Sequence, residues 1–170
     1  MIDFLRNKGI KAYNEIIEIA EQPNLLFSND SGQHNAEANY NLYTIHKLNK
    51  FIKKDSVSVC ELEKAFIFIE NSWSAYLNKH FMDKTFLFYI WGDYQIPAIK
   101  LSVVSFYEGL VLPFECTLNK VKNIQDVLIQ YKEKAQFDGI TMIETDESNL
   151  NDYETGSDYI LTVYSRIITC

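Results

Sequence analysis

Glycine and proline are scarce in this 170-residue chain, which holds six of one and three of the other. So little of either leaves no room for a flexible linker between domains, and one domain over residues 1–170 is expected. The six glycines stand singly, which excludes a Gly-rich loop that cradles phosphate. Cysteine is also sparse. Cys60, Cys116 and Cys170 are odd in number and widely spaced, so a disulfide framework is not expected and reduced thiols are. No CxxC, HExxH or GxSxG occurs, and His34, His46 and His80 have no ligand-like spacing; zinc and a serine nucleophile elbow lose their usual signatures. Long apolar runs are missing too. Those near Phe86 and Val103 fall short of the roughly 20 residues a bilayer requires. The opening residues, MIDFLRNKGIKAYNEII, are broken by Asp3, Arg6, Lys8 and Lys11, unlike a secretory signal. A cytoplasmic protein is expected.

Basic side chains are missing from one region. No Lys or Arg lies between Lys134 and Arg166. Residues 1–137 carry 15 basic and 16 acidic side chains, whereas residues 138–170 carry Arg166 against seven acids. Those acids are Asp138, Glu144, Asp146, Glu147, Asp152, Glu154 and Asp158, and they hold most of the net charge of −7. Such a balance argues against direct contact with nucleic acid or an anionic membrane, both of which want Lys and Arg.

What is present is a rich apolar content, 47% of residues, with 14% aromatic. At this length roughly 70% of the unfolded surface can be buried. The most hydrophobic stretch is residues 85–107, TFLFYIWGDYQIPAIKLSVVSFY, two β-branched and aromatic runs around Gly92-Asp93. It predicts two antiparallel strands turning at Gly92-Asp93, with Pro97 marking an edge or bulge in the second. Aromatics on both faces suit a sheet covered on both sides.

Helical spacing precedes this hairpin. Over residues 11–21, Tyr13, Ile16, Ile17 and Ala20 share one face, and Pro23 ends the pattern. A second helix is expected over residues 36–54, with Leu42, Ile45, Leu48 and Ile52 as its stripe and Lys47, Lys50, Lys53 and Lys54 toward its end. A third is expected over residues 57–80, capped by Asp55 or Ser56. Its stripe is Val59, Leu62, Phe66, Ile69, Trp73 and Tyr76, broadened by Ala65, Ile67 and Leu77, which marks a core-facing helix rather than a coiled-coil seam.

After the hairpin, LVLPFECTL at residues 110–118 reads as a short third strand interrupted by Pro113. Residues 123–136 read as a helix with Asn123 as cap and Ile124, Val127, Leu128 and Tyr131 inward. Gly139 would end it, residues 139–145 would form a strand, residues 146–158 a polar loop, and residues 159–169 a closing strand. The expected class is α+β: a helical part, 1–82, packed on a mostly antiparallel sheet of four to five strands from 83–170, with one crossing helix.

Catalytic groupings fare poorly. Cys60 and His80 would sit roughly 30 Å apart on one helix at 1.5 Å per residue. Cys116 with His34 is unconstrained, and Glu108 and Glu115 merely flank an apolar segment. A calcium loop starting at Asp146 would place Leu150 and Asn151 where an acid and a glycine belong; one starting at Asp152 places Gly156 fifth rather than sixth. Neither cofactor nor metal is expected. The acid-rich loop is the candidate site: Asp146, Glu147, Asp152, Tyr153, Glu154 and Asp158. Carboxylates so concentrated create a potential that draws a basic partner, and Tyr153 is of a type favoured as an interface anchor. A merely solvated loop is the plainer account of the same residues.

A small, acidic, aromatic-rich α+β chain without catalytic signatures resembles the bacterial toxin-immunity proteins, in particular those of contact-dependent growth inhibition. That resemblance implies a stoichiometric inhibitor that covers a cognate toxin domain, often a basic nuclease, and it would turn the six loop residues toward the toxin. Two other readings stand beside it: a small-molecule binder or enzyme with a pocket between helices and sheet, and a homodimeric interaction domain joined through an edge strand at Pro97.

Overall fold

Ser58 starts the longest helix with a reciprocal cap. Its hydroxyl accepts from the backbone N–H of Glu61, and the Glu61 carboxylate accepts from the Ser58 backbone N–H at 3.0 Å, satisfying two donors that a helix start leaves free. The cap therefore falls three residues after Asp55 and two after Ser56, the caps expected from the sequence. The computed structural model describes residues 10–23, 25, 43–44, 58–93, 98–106, 117–137 and 160–170. Within these lie α1 (Ile10–Glu21), β1 (Tyr43–Thr44), α2 (Val59–His80), β2 (Thr85–Asp93), β3 (Ala98–Ser105), β4 (Thr117–Val121), α3 (Ile124–Phe137) and β5 (Ile160–Thr169).

The five strands form one sheet in the order β1-β3-β2-β5-β4. All neighbours are antiparallel except β4 and β5, which are parallel and joined through α3. The fold is α+β, as composition and periodicity led one to expect. β5 is last among the described elements, yet it lies between β2 and β4.

Strand alternation sorts the sheet into two faces. Phe86, Phe88, Ile90 and Gly92 of β2 share one face with Val103, Leu101 and Ile99 of β3 and with Ile168, Arg166, Tyr164 and Thr162 of β5. α2 and α3 pack on this face. The Trp73 ring meets Phe88 edge-on at 5.7 Å between centroids, and Ile16, Leu62, Phe66, Ile69, Leu77, Val127, Leu128 and Tyr131 complete one buried cluster with it. Fully burying one such side chain contributes about 1.5–3 kcal/mol. The opposite face is buried as well: Leu87, Tyr89, Trp91, Ser102, Val104 and Val163 are all shielded from water. Tyr89 and Trp91 stack there with centroids 5.2 Å apart.

Two further sequence expectations are corrected. Gly92 and Asp93 do not turn the hairpin; they pair with Ile99 and Ala98 inside the ladder. Glycine serves another purpose at 92, since a Cβ there would meet Cβ and Cδ2 of Tyr131 at 3.4 Å. That distance is at the edge of ordinary van der Waals contact, so α3 passes directly over this position. Tyr43 and Thr44, expected in a helix, instead pair with Leu101 and Lys100. A β-branched residue and an aromatic suit a strand edge, and tertiary pairing overrides the helical period of their neighbours. Of the strand expected over 110–118, the described residues Thr117 and Leu118 lie in β4, which extends through Asn119 and Lys120 to Val121; residues 110–116 lie outside the described residues. Pro97, Pro113, Gly139 and the strand expected over 139–145 lie outside the described residues.

No helix among the described residues is long and apolar enough to cross a membrane.

Candidate functional site

Asp146, Glu147, Asp152, Tyr153, Glu154 and Asp158 lie outside the described residues. What is fixed is the frame on either side of them. Phe137 ends α3 and Ile160 opens β5. Ile160 pairs with Thr117 at the start of β4, and Thr162 pairs with Gly92 near the end of β2. β5 thus enters the sheet at the end where β2 gives way to β3. Thr162 further bonds Gln130 through its hydroxyl, tying β5 to α3 there.

The one basic residue of the last fifth, Arg166, does not face that end. Alternation along β5 sends Tyr164 and Arg166, two residues apart, to the helix-covered face. Between them comes Glu70, which follows Ile69 on the inner side of α2 and is buried. Arg166 Nη1 donates to Glu70 Oε1 at 2.9 Å, and the Tyr164 hydroxyl donates to Oε1 and Oε2 at 3.1 and 3.3 Å. The Arg166 side chain remains 55% exposed while that of Glu70 is 4% exposed. A buried carboxylate demands such partners, because an unpaired charge in the interior costs several kcal/mol.

Each group responds to the others. Burial, then the charge and hydrogen bond of Glu70, push the Tyr164 phenol up to about 12. The hydrogen bond from Arg166 to Glu70 and the carboxylate's charge raise the guanidinium further. A phenol held neutral and a carboxylate occupied by two donors make a clamp between helix and sheet. The phenol, with its proton held so tightly, is not poised to give it up near neutral pH.

Other candidate groups are separated. Cys60 is exposed at the start of α2 and His80 is exposed at its end, a helix of 22 residues, so roughly 30 Å divides them. The His80 ring lies on Tyr76 at 4.5 Å. Cys170 is half-buried, which pushes its thiol up. No group of three or more His, Cys, Asp or Glu suited to a metal occurs among the described residues. His34, His46, Glu108, Glu115 and Cys116 lie outside them.

Sequence reasoning did not single out Glu70 or Tyr164. Two signals pointed their way: a lone acid beside the apolar stripe Phe66-Ile69-Trp73, and a lone base in the otherwise uncharged run ILTVYSRIIT. No family model, curated protein or solved structure matches this chain.

Proposed function

We propose that the chain is an immunity-type inhibitor that binds a cognate toxin domain of basic character through the acid-rich stretch holding Asp146, Glu147, Asp152, Tyr153, Glu154 and Asp158. What supports this reading is the charge balance of the last fifth of the chain. Its single positive side chain, Arg166, holds Glu70 of α2 through one nitrogen, and the seven acids that precede it in sequence have no Lys or Arg among them. An anionic stretch of this density attracts a cationic protein and accelerates encounter. Nothing in the clamp or in the separated Cys60 and His80 suggests turnover of a substrate.

The test takes as binding partner a basic toxin domain of the contact-dependent growth-inhibition type, drawn from the reading frame upstream of this chain where one is found there. Replacing Asp146, Glu147, Asp152, Glu154 and Asp158 with Asn or Gln should slow association about tenfold or more at low ionic strength, and the gap should close as salt screens the charges. Association that is unchanged at low salt overturns the reading.

A further inference from the structure

β4 is shorter than the strand it accompanies. Val121 pairs with Tyr164 on the last rung of the parallel ladder, while β5 continues to Thr169. Residues 165–169 pair with β2 on one side and, among the described residues, with no strand on the other. An open strand edge is a template for another extended chain.

The side chains along this edge define what it would accept. Arg166, on the helix-covered face, is 55% exposed and has one nitrogen anchored by Glu70. A guanidinium offers five N–H donors in a fixed plane, so donors remain for a second carboxylate. On the opposite face Ile167 is 52% exposed. Lys122, exposed, follows Val121 at the lower end of the open edge. Neither residues 117–122 nor residues 160–170 contain an Asp or Glu.

We infer that residues 165–169 of β5 form a strand-addition site for an extended, acidic segment of a partner protein, in which a carboxylate meets Arg166 and the adjacent apolar residue meets Ile167. A second copy fits this edge poorly. Antiparallel pairing of β5 with itself would set Arg166 opposite another Arg166, or opposite Ile167 or Ile168, and no register supplies a carboxylate. The site uses no residue of the acid-rich stretch and stands whether or not the chain neutralises a toxin.

The experiment titrates the full-length, nitrogen-15-labelled protein with a blocked heptapeptide alternating Val and Glu, and with its Val and Lys counterpart. Saturating shifts at the amides of residues 165–169, with slowed exchange of those amides, are expected for the Glu peptide. The Lys peptide, and the Glu peptide against Arg166→Gln, should bind about tenfold more weakly. Because Arg166→Gln also disturbs Glu70, Lys122→Glu serves as a second variant that leaves the clamp intact, and it should weaken the Glu peptide several-fold. Absence of binding, equal binding of both peptides, or shifts confined to other residues overturns the proposal. So does a concentration-dependent dimer in which residues 165–169 become protected, which would assign the edge to a second copy.

Discussion

The indole nitrogen of Trp73 donates to the backbone carbonyl of Ile19 at 2.6 Å, across 54 residues of sequence. The helical partner of that carbonyl would be the N–H of the residue four further on, and that residue is Pro23, which has none. The side chain of α2 thus supplies the donor that proline withholds at the end of α1.

Trp73→Phe keeps most of the ring contact with Phe88 but leaves the Ile19 carbonyl without this donor. A loss of about 1–3 kcal/mol is expected in urea-induced unfolding. Amide exchange should accelerate first in α1 and only later in the sheet. Uniform acceleration through the whole chain would show that the bond does not specifically hold α1.

Removing either partner of the Glu70–Arg166 pair is expected to be unequal in effect. Arg166→Ala leaves a buried carboxylate with only the Tyr164 hydroxyl, whereas Glu70→Ala leaves a guanidinium that is already half in water. The first should cost about 1–3 kcal/mol more than the second, below the 3–5 kcal/mol typical of fully buried pairs because solvent reaches Arg166. Chemical denaturation of both variants and the double variant measures the difference. Equal losses would mean that Glu70 is less isolated from water than its burial implies.

The phenols set an alkaline limit. Burial pushes both Tyr89 and Tyr164 up to about 12 from an ordinary 10, with Glu70 adding to the effect on Tyr164. A raised folded value means that the folded state holds the proton more tightly than the unfolded chain. Their contribution is therefore complete below pH 10 and is lost as pH rises through the window from 10 to 12. Tyrosinate absorbance should show Tyr89 and Tyr164 ionising late, together with loss of the fold. Tyr164→Phe should remove one of the late ionisations and flatten the stability decline above pH 10.

The helical core was readable from spacing alone. Ile16 and Ala20, the buried run Leu62-Phe66-Ile69-Trp73, and Ile124, Val127, Leu128 and Tyr131 all turned inward as their period required. The hairpin and the last strand were equally plain in their β-branched and aromatic runs. Punctuation was less readable. Gly92 looked like a turn because a glycine's use for close approach is invisible until Tyr131 is placed above it. Tyr43 and Thr44 pair with a strand more than 50 residues away, a long-range choice that local period does not encode. The Glu70 clamp joins α2 to β5 across 96 residues, and only the topology brings them together. The acid-rich stretch was legible as charge, and its frame at Phe137 and Ile160 came from the fold.

The placement of β5 between β2 and β4 has a consequence for how the chain is made. Thr85 must wait for Thr169 before its strand is flanked on both sides. During synthesis the β2–β3 hairpin can assemble early, but the apolar row TFLFYIW then waits on one flank for its β5 partner until about 60 further residues have emerged, at the order-of-magnitude pace of seconds for that length. A ribosome that stalls within the acid-rich stretch would leave that flank open, and the nascent chain would be prone to sticking to its neighbours at the step when it is one strand short of closure.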